Sequence, residues 1–375
     1  MDERLKTIIA EELMFTKEAA AYLGISVQRL NKLMHKGEIQ PVKRSPSGTL
    51  FLKRDLDERR YSSGNIGREI PSPRNVEPMR NNGDRIQEAI NYFTIQSFYD
   101  YAYRKAQPHY LKLRLEYDFK KPLFYHLEGV SAYLGVAGEE FVARYEQVLR
   151  GIEKLLATDE IISLSEEAYP FELKRTASPP PFLFLRGHRE LLNRPIASVI
   201  GVKDPSFPEK ELAYRIARHL AERGYVIASG LAKGVDTVVL DAAVNNRIPS
   251  IAVLGTPLNR AYPKENESLQ RDISRDGLLV SQYCPSAPGK RWQFPIRGIT
   301  LSGISQFTVL VDQGYKEGNY KQIEYTLHQG RVVFMPYPAA ITRENRWLER
   351  YMNRKGVVLY RDFEDFLRQL KIVLG

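Results

Sequence analysis

The chain has 375 residues, of which 43% are hydrophobic and 11% aromatic; this is enough for more than one domain with a hydrophobic core and disfavours wholesale disorder. It has 55 lysine and arginine residues against 45 aspartate and glutamate residues, a formal charge of +10, which favours a polyanionic partner such as nucleic acid. The single cysteine, Cys284, excludes a disulfide framework and a cysteine-based zinc site. Neither the apolar core of a signal peptide nor an apolar run of membrane-spanning length occurs, so we expect a soluble, cytoplasmic protein.

Residues 1–62 have the pattern of a winged helix-turn-helix. Thr16 and Ser26 are each followed by a segment with helical patterning, and both residue types suit the cap position of a helix. A helix, a tight turn at Gly24 and a second helix make a helix-turn-helix motif. The segment 41–52 that follows is patterned as a two-stranded wing.

The second helix and the wing carry side chains suited to duplex DNA. Glutamine, arginine and asparagine can hydrogen-bond base edges in a major groove, and lysine can contact phosphates. Together with the stretch 51–56, the segment resembles the small winged helix-turn-helix domains of the MerR and excisionase kind. The alternative is a small helical module that binds protein. The candidate duplex-binding residues are Ser26, Gln28, Arg29, Asn31, Lys32, His35, Lys43 and Arg44.

The next two segments differ sharply in composition. Residues 63–84 are rich in Ser, Gly, Pro and Asn without apolar periodicity, which predicts a linker. Residues 85–160 are predicted to be helical and are rich in tyrosine, with lysine and arginine interleaved. Two interpretations remain open for the tyrosines: an aromatic core with a solvated basic face, or a surface that stacks nucleobases.

Residues 161–338 alternate between buried strands and helices. The strands are short apolar runs without polar alternation, which is typical of a parallel sheet covered on both faces. The predicted fold is therefore α/β, an extended Rossmann-like doubly wound parallel sheet, with the N-terminal winged helix-turn-helix and the helical middle region added to it. The predicted strands begin near Ser198, Val226, Pro249, Gly277, Phe307 and Arg331.

The first two of these strands end in small residues and a lysine. Unpaired N–H groups at a helix start can hold an anion, and Gly230 and Gly234, which have no Cβ, would let the backbone approach it closely. Lys203 and Lys233 add cations at the same sheet edge. The pattern predicts a phosphate-bearing ligand at the carboxyl ends of the strands.

A series of motifs in this domain resembles the DNA-processing protein A family, DprA, also called Smf. The resemblance implies an extended Rossmann-like fold, binding of single-stranded DNA, no established catalysis, a homodimer, and a RecA-type recombinase as a partner. The motifs that carry it are Ala168–Pro170, Pro179–Leu183, Arg186–Gly187, Val199–Gly201, Ser229–Asp236, Ile251–Gly255, Tyr262–Pro263, Asn266, Trp292–Pro295 and Gln329–Arg331.

The resemblance also assigns candidate strand-binding residues. Lys203, Lys233 and Arg297 stand at basic positions of the family and would neutralise phosphates, while Ser229, Gly230 and Gly234 would donate backbone hydrogen bonds. Gly318 and Asn319 occupy the Gly-Ser position before the family's last helix, and Lys321 adds a new cation. Trp292 and Phe294 are candidates for base stacking or for packing.

Several residues depart from the family pattern. The Asn-Arg pair that follows the family's Phe-Pro-Arg run is Gly298-Ile299 here, and Gln282, Leu240 and Asp312 replace a glutamate, a histidine and a glutamate. These changes motivate a second hypothesis, in which the pocket binds a nucleotide and the helix-turn-helix makes the chain a transcriptional regulator.

The sequence predicts a binding protein with no metal and no cofactor. It lacks the glycine-rich turn of phosphoribohydrolases, although Glu317 and Glu324 are present, and no catalytic triad or metal motif occurs. A phosphoribohydrolase is thus a third, weaker hypothesis. Residues 339–375 are predicted to form a C-terminal extension, a strand plus a helix that packs on the sheet or on a second subunit.

Overall fold

The computed structural model describes residues 13–23, 26–36, 39–41, 43–45, 48–52, 56, 83–312, 317–338, 340–343 and 345–375. The contacts divide the chain into two compact units, Met1–Pro78 with Ile90–Leu149, and Met79–Ala89 with Arg150–Gly375. The predicted linker 63–84 lies outside the described residues except for its last two, which begin a helix. No helix within the described ranges is long and apolar enough to cross a membrane.

The winged helix-turn-helix prediction is confirmed. Ser26 caps the second helix by accepting a hydrogen bond from the Arg29 backbone N–H. The wing is an antiparallel pair, and the unpredicted first strand adds to it in the order β1-β3-β2; the predicted turn at Gly24 lies outside the described residues. The elements are β1 Leu13–Phe15, α1 Thr16–Tyr22, α2 Val27–His35, β2 Lys43–Ser45 and β3 Gly48–Leu52, around a core of Ala19, Ala20, Leu30, Ile39, Phe51 and Leu56.

The middle region is helical, as predicted. Most of its aromatic residues are buried, among them Tyr92, Tyr103 and Tyr110, and the rings of Tyr92 and Tyr110 pack edge to face with each other and with neighbouring rings. For these residues the core interpretation holds, whereas Tyr99 and Tyr133 lie nearer the surface. The helices are α3 Gly83–Ser97, α4 Tyr103–Glu116, α5 Leu127–Leu134 and α6 Gly138–Ile152.

Within the described residues, a nine-stranded sheet has the order β12-β11-β10-β6-β7-β8-β9-β5-β4. The run from β12 to β9 is parallel, and β5 and β4 add to it antiparallel. The strands are β4 Glu160–Ser163, β5 Phe182–Gly187, β6 Ile196–Ile200, β7 Val226–Ser229, β8 Ser250–Leu254, β9 Leu278–Ser281, β10 Phe307–Leu310, β11 Val332–Pro336 and β12 Val357–Tyr360.

Helices cover both faces of this sheet, which confirms the doubly wound fold. One apolar layer includes Ile216, Val239 and Phe366, and the layer on the other face includes Leu301 and Ile323. The helices are α7 Phe171–Lys174, α8 Phe207–Glu222, α9 Val235–Asn245, α10 Glu267–Asp276, α11 Gln293–Ile296, α12 Gly298–Ile304, α13 Glu317–His328 and α14 Phe363–Leu374.

The C-terminal residues complete the same sheet. The predicted strand at 331–335 does not close it, because β12 pairs in parallel with β11. The hydroxyl of Tyr360 donates to Leu310 O at 2.6 Å, and Phe366 and Leu370 of α14 pack into the core. The predicted strand plus helix therefore exists, and it packs on this chain's own sheet.

Candidate nucleic-acid interface

The sheet reverses its winding direction at β6. From β6 the chain proceeds through β7, β8 and β9 on one side, and β10, β11 and β12 follow on the other. In open parallel sheets, the crevice for a ligand lies at the carboxyl ends of the strands beside such a reversal. The loops after β6 and β7, which hold most of the predicted phosphate-binding residues, meet at this edge.

The loop after β7 is shaped by close backbone packing. A Cβ on Gly230 would overlap the guanidinium of Arg297, and a Cβ on Gly234 would overlap Val202 O. Gly234 also has a φ of +94°, which side chains other than glycine rarely adopt. The Ser229 hydroxyl is buried and donates to Val199 O at 2.7 Å. The space beside both glycines is thus filled by this chain's own atoms, and their phosphate-binding role stays a prediction.

Lys203 and Lys233 are both exposed at this edge. Lys233 Nζ lies 2.8 Å from Asp204 Oδ1. That hydrogen bond raises the pKa of Lys233 and lowers the pKa of Asp204. Because the pair stands in solvent it stabilises the fold little, so a phosphate can replace Asp204 as the partner of Lys233. Both lysines are therefore accessible to an anionic ligand at this edge.

Arg297 is placed differently from the two lysines. Its side chain is only 11% exposed, and Nη2 lies 3.6 Å from Asp236 Oδ2. Nη1 donates to Val253 O at 2.8 Å. Burial lowers the pKa of the Arg297 guanidinium, and the charge of Asp236 opposes that shift. In the structure Arg297 joins the first turn of α9 to β8, and the phosphate contact that the sequence predicts for it stays a prediction.

The other side of the reversal point is lined from β10 and α13. Asp312 is buried, and its Oδ2 accepts a hydrogen bond from the Val202 N–H at 2.5 Å. Gly318 and Asn319 lie in the first turn of α13, and Lys321 is half-buried. Asn319 is 4% exposed, and its Nδ2 has no hydrogen-bond partner among the described residues.

Most of the residues predicted to contact duplex DNA lie on or beside the exposed face of α2. Leu30 of α2 is buried, while the candidate residues on the same helix face solvent. Lys43 and Arg44 lie in β2, opposite Leu50 and Thr49 of β3. The exposed candidates are Ser26, Gln28, Arg29, Asn31, Lys32 and His35.

Glu324, one of the two glutamates considered under the phosphoribohydrolase hypothesis, is already hydrogen-bonded within the chain. Glu324 Oε1 accepts hydrogen bonds from the Tyr351 hydroxyl at 2.5 Å and from Arg354 at 2.7 Å. The side chain of Glu317 lies outside the described residues. No group of three His, Cys, Asp or Glu residues in the described part of the chain could hold a metal ion.

Comparison with known proteins places this geometry in a family. The model of DNA recombination-mediator protein A matches residues 160–371, more than half of the chain, and a helix-turn-helix domain model matches residues 13–60. The chain belongs to the DNA recombination-mediator protein A family. The matched range includes β12 and most of α14, which agrees with the pairing of β12 in the sheet and the packing of α14 against it.

Named relatives of this family match a little under half of the chain. DNA processing protein DprA of Bacillus subtilis is 30% identical over 174 residues, covering 46% of this chain and 59% of that protein. DprA of Streptococcus pneumoniae is 33% identical over 172 residues, covering 46% and 61%. The chain thus spans about six tenths of the length of these curated relatives.

Solved structures of the family have the same fold. Streptococcus pneumoniae DprA superposes with a TM-score of 0.57 at 25% identity, covering 77% of this chain and 98% of that one. A structure of DNA processing protein A from Helicobacter pylori, which addresses its single-stranded DNA binding mode, gives a TM-score of 0.50 at 21% identity, covering 57% and 96%.

Two exposed rings were missed by the sequence reasoning as members of the site. Phe207 begins α8, four residues after Lys203, and is 79% exposed. Tyr262, quoted above only as a family motif, is 58% exposed, with its ring centroid 4.9 Å from that of Phe294. Asn266 ties the Tyr262 loop to the loop after β7 by donating to Leu231 O at 3.1 Å. The sequence did contain a signal for these residues, namely an aromatic side chain in a segment at the carboxyl edge of the predicted sheet.

Proposed function

We propose that the chain is a non-catalytic DNA-processing protein that binds single-stranded DNA along the carboxyl edge of its Rossmann-like sheet. The observation that carries the proposal is the combination of exposed cations, Lys203 and Lys233, with exposed rings, Phe207 and Tyr262, in segments that follow strands at the carboxyl edge of the sheet. Proteins that bind single-stranded DNA without sequence preference combine cations that contact its phosphate backbone with aromatic rings that stack on its bases. Family membership supports the same function, and the Helicobacter pylori relative is described as binding single-stranded DNA.

Anisotropy of a fluorescent oligo-dT with the full chain tests the proposal. Each phosphate contact on a single strand contributes about 0.7 to the slope of log affinity against log salt. The Lys203→Glu/Lys233→Glu variant should bind at least about ten-fold more weakly, with a slope smaller by about 1.4. Arg223→Glu/Lys371→Glu, which changes exposed cations at the ends of α8 and α14, is the matched control and should bind as the unmodified chain does. Equal losses in the two variants would reject the carboxyl edge as the binding surface.

The winged helix-turn-helix is proposed to bind duplex DNA. Arg29, Asn31 and Lys32 are exposed on α2 while Leu30 anchors the helix, which is the arrangement of a recognition helix. Selection from a random duplex library should enrich a motif with the full chain. Arg29→Ala/Asn31→Ala should lose it, and Lys17→Ala, an exposed residue of α1, should keep it. A library that yields no enrichment would favour a protein-binding module.

A homodimer and a RecA-type recombinase partner are further parts of the proposal. Ile372 and Leu374, at the end of α14, are 75% and 39% exposed, as an apolar contact with another protein would require. Light scattering at micromolar concentration should give twice the mass of 43.1 kDa, and Ile372→Glu should return the monomer. A monomeric unmodified chain would remove the dimer from the proposal, and pull-down with a purified recombinase tests the partner.

The nucleotide-sensing regulator remains the second candidate, because Asn319 at the start of α13 holds a buried amide nitrogen that no described residue hydrogen-bonds. A ligand that binds only the folded state raises its stability. Thermal-shift screening with nucleoside mono-, di- and triphosphates should then find a stabilising compound, and Asn319→Ala should abolish its effect. If none of them stabilises the chain, the nucleotide-sensing candidate is rejected, and the proposal of single-stranded DNA binding is not affected.

A further inference from the structure

Three aromatic side chains form a cluster on the helical middle region, which lies outside the residues that the two family models match. The rings of Tyr99 and His109 are nearly parallel, 12° apart, with centroids 4.5 Å from each other. Tyr133 meets His109 at 67°, with a centroid distance of 5.8 Å, and its hydroxyl lies 3.2 Å from His109 Nδ1. His109 is therefore the middle member, and Tyr133, 39% exposed, presents its ring to solvent.

The backbone beside Tyr99 is held in an unfavourable conformation. Asp100 and Tyr101 have φ angles of 54° and 60°, in the left-handed region that residues other than glycine seldom adopt. The side chain of Tyr101 is buried, and its N–H donates to Gln96 O at 3.0 Å. This anchor turns the chain after α3 so that Tyr99 lies against His109. Backbone strain of this kind is found more often at functional sites than elsewhere.

The charges around the cluster of Tyr99, His109 and Tyr133 are nearly balanced. Lys105 and Lys112 are exposed on α4, one turn before and one turn after His109. Lys112 Nζ lies 2.6 Å from Glu116 Oε1, and both side chains are about half exposed; Asp100 is a second exposed acid. The lysines can contact a phosphate, but the balance means that rings, more than charge, would provide the affinity.

We propose that the surface formed by Tyr99, His109 and Tyr133 is a second site for single-stranded DNA, which it binds by stacking nucleobases. Aromatic rings stack every base, so such a site is tolerant of sequence. The rings are already packed against one another, so little side-chain freedom is lost when a base arrives. A protein partner would instead be expected on the exposed aliphatic pair Leu111 and Leu115 of α4, the helix that holds His109. The site is separate from the carboxyl edge of the sheet.

Photocrosslinking of the full chain to an oligo-dT that contains 5-iodouracil locates the site directly. Mass spectrometry should find adducts on Tyr99, His109 or Tyr133. The same adducts should form with Lys203→Glu/Lys233→Glu, so failure of the carboxyl-edge proposal and failure of this one give different results. Adducts confined to other residues, or no adduct at all, would overturn the proposal.

Affinity measurements in the Lys203→Glu/Lys233→Glu background provide the second test. Adding Tyr99→Ala and Tyr133→Ala should weaken oligo-dT binding at least about five-fold, the effect of losing one stacked base, with almost no change in salt slope. Tyr99→Phe/Tyr133→Phe keeps the rings and should bind normally, and Leu111→Ala/Leu115→Ala is the matched control on the same helix. Loss of oligo-dT binding in the leucine variant, with normal binding when Tyr99 and Tyr133 are alanine, would overturn the proposal, because the DNA would then contact the leucines and not the rings.

Discussion

A methyl group on residue 230 would occupy the space now held by the Arg297 guanidinium. The Gly230→Ala variant therefore has to move that group. It is the far end of a flexible side chain, so it can swing away without disturbing the backbone. The cost of the substitution is then the loss of what Arg297 contacts, namely Val253 O and Asp236.

The size of that loss follows from burial. Asp236 is 2% exposed, and apart from Arg297 its carboxylate accepts a hydrogen bond from the Ala232 N–H at 3.2 Å. Removing one partner of a buried ion pair costs about 3–5 kcal/mol, because the other charge stays buried. We expect about 3 kcal/mol for Gly230→Ala and a similar value for Arg297→Ala.

The two changes should not add. Once Arg297 is alanine, the methyl group at residue 230 has room, and the second substitution should cost less than about 1 kcal/mol. The double variant should thus lose about 3 kcal/mol rather than 6, a coupling of about 2–3 kcal/mol between neighbouring residues. Gly83→Ala is a control in the same unit, since its added Cβ meets no atom within 4 Å.

Denaturant unfolding followed by tryptophan fluorescence suits this cycle. The chain has two tryptophans, Trp292 and Trp347, and both lie in the unit that holds the sheet, so the signal reports that unit. Additive losses would refute the packing argument. A neutral Arg297→Ala with a reduced salt slope for oligo-dT would instead restore the phosphate contact that the sequence predicted.

Three further outcomes follow from described contacts. Burial raises the pKa of the Cys284 thiol to about 11, so at pH 8 its reaction with a disulfide reagent should be at least about two hundred-fold slower than that of a free cysteine; labelling within seconds would contradict this burial. Burial alone would raise the pKa of Glu324, but the hydrogen bonds from Arg354 and Tyr351 and the charges of Arg354 and His328 together outweigh it and the pKa is lowered; the stability this provides is present above the unfolded pKa, about 4.3, and is lost as pH falls through the lower folded pKa. Glu324→Gln should cost about 2 kcal/mol at pH 7 and flatten the acid-unfolding profile below about pH 4; an unchanged profile would place the acid transition elsewhere. Asp204→Asn frees Lys233 from its exposed partner and should strengthen oligo-dT binding about two- to five-fold, whereas weaker binding would indicate that the pair positions the loop.

The parallel part of the fold could be predicted from the sequence because its signals are local. An apolar run such as that of β8, with a helical segment after it, needs no knowledge of its neighbours to be recognised. The antiparallel strands β4 and β5 were missed for the opposite reason. Phe184 of β5 pairs with Ser281 of β9, nearly a hundred residues away, and no pattern within β5 encodes that partner.

The sequence predicted correctly that the loops after β6 and β7 meet at one sheet edge, but not the contacts of the residues there, and their binding of phosphate stays a prediction. Glycine at 230 and 234 correctly indicated close approach, yet the approaching groups are Arg297 and the backbone at Val202, not a ligand. A sequence gives the charge of an arginine but not whether an acid such as Asp236 lies within the same fold to pair with it. The exposure of Tyr262 depends on the path of its loop, which is also a tertiary property.

This difference between buried and exposed cations decides how many phosphates the carboxyl edge can contact. A phosphate that reached Arg297 would have to enter the interior and displace Asp236, which would leave a buried carboxylate beside a new anion. Lys203 and Lys233 have no such barrier, since both stand in solvent. If this edge contacts the strand through these two lysines alone, its share of the salt slope is about 1.4, whereas a third contact from Arg297 would raise it to about 2.1. The measured difference between the unmodified chain and the double lysine variant therefore tests the lysine contacts, and the slope of the Arg297→Ala chain tests whether the arginine adds a third.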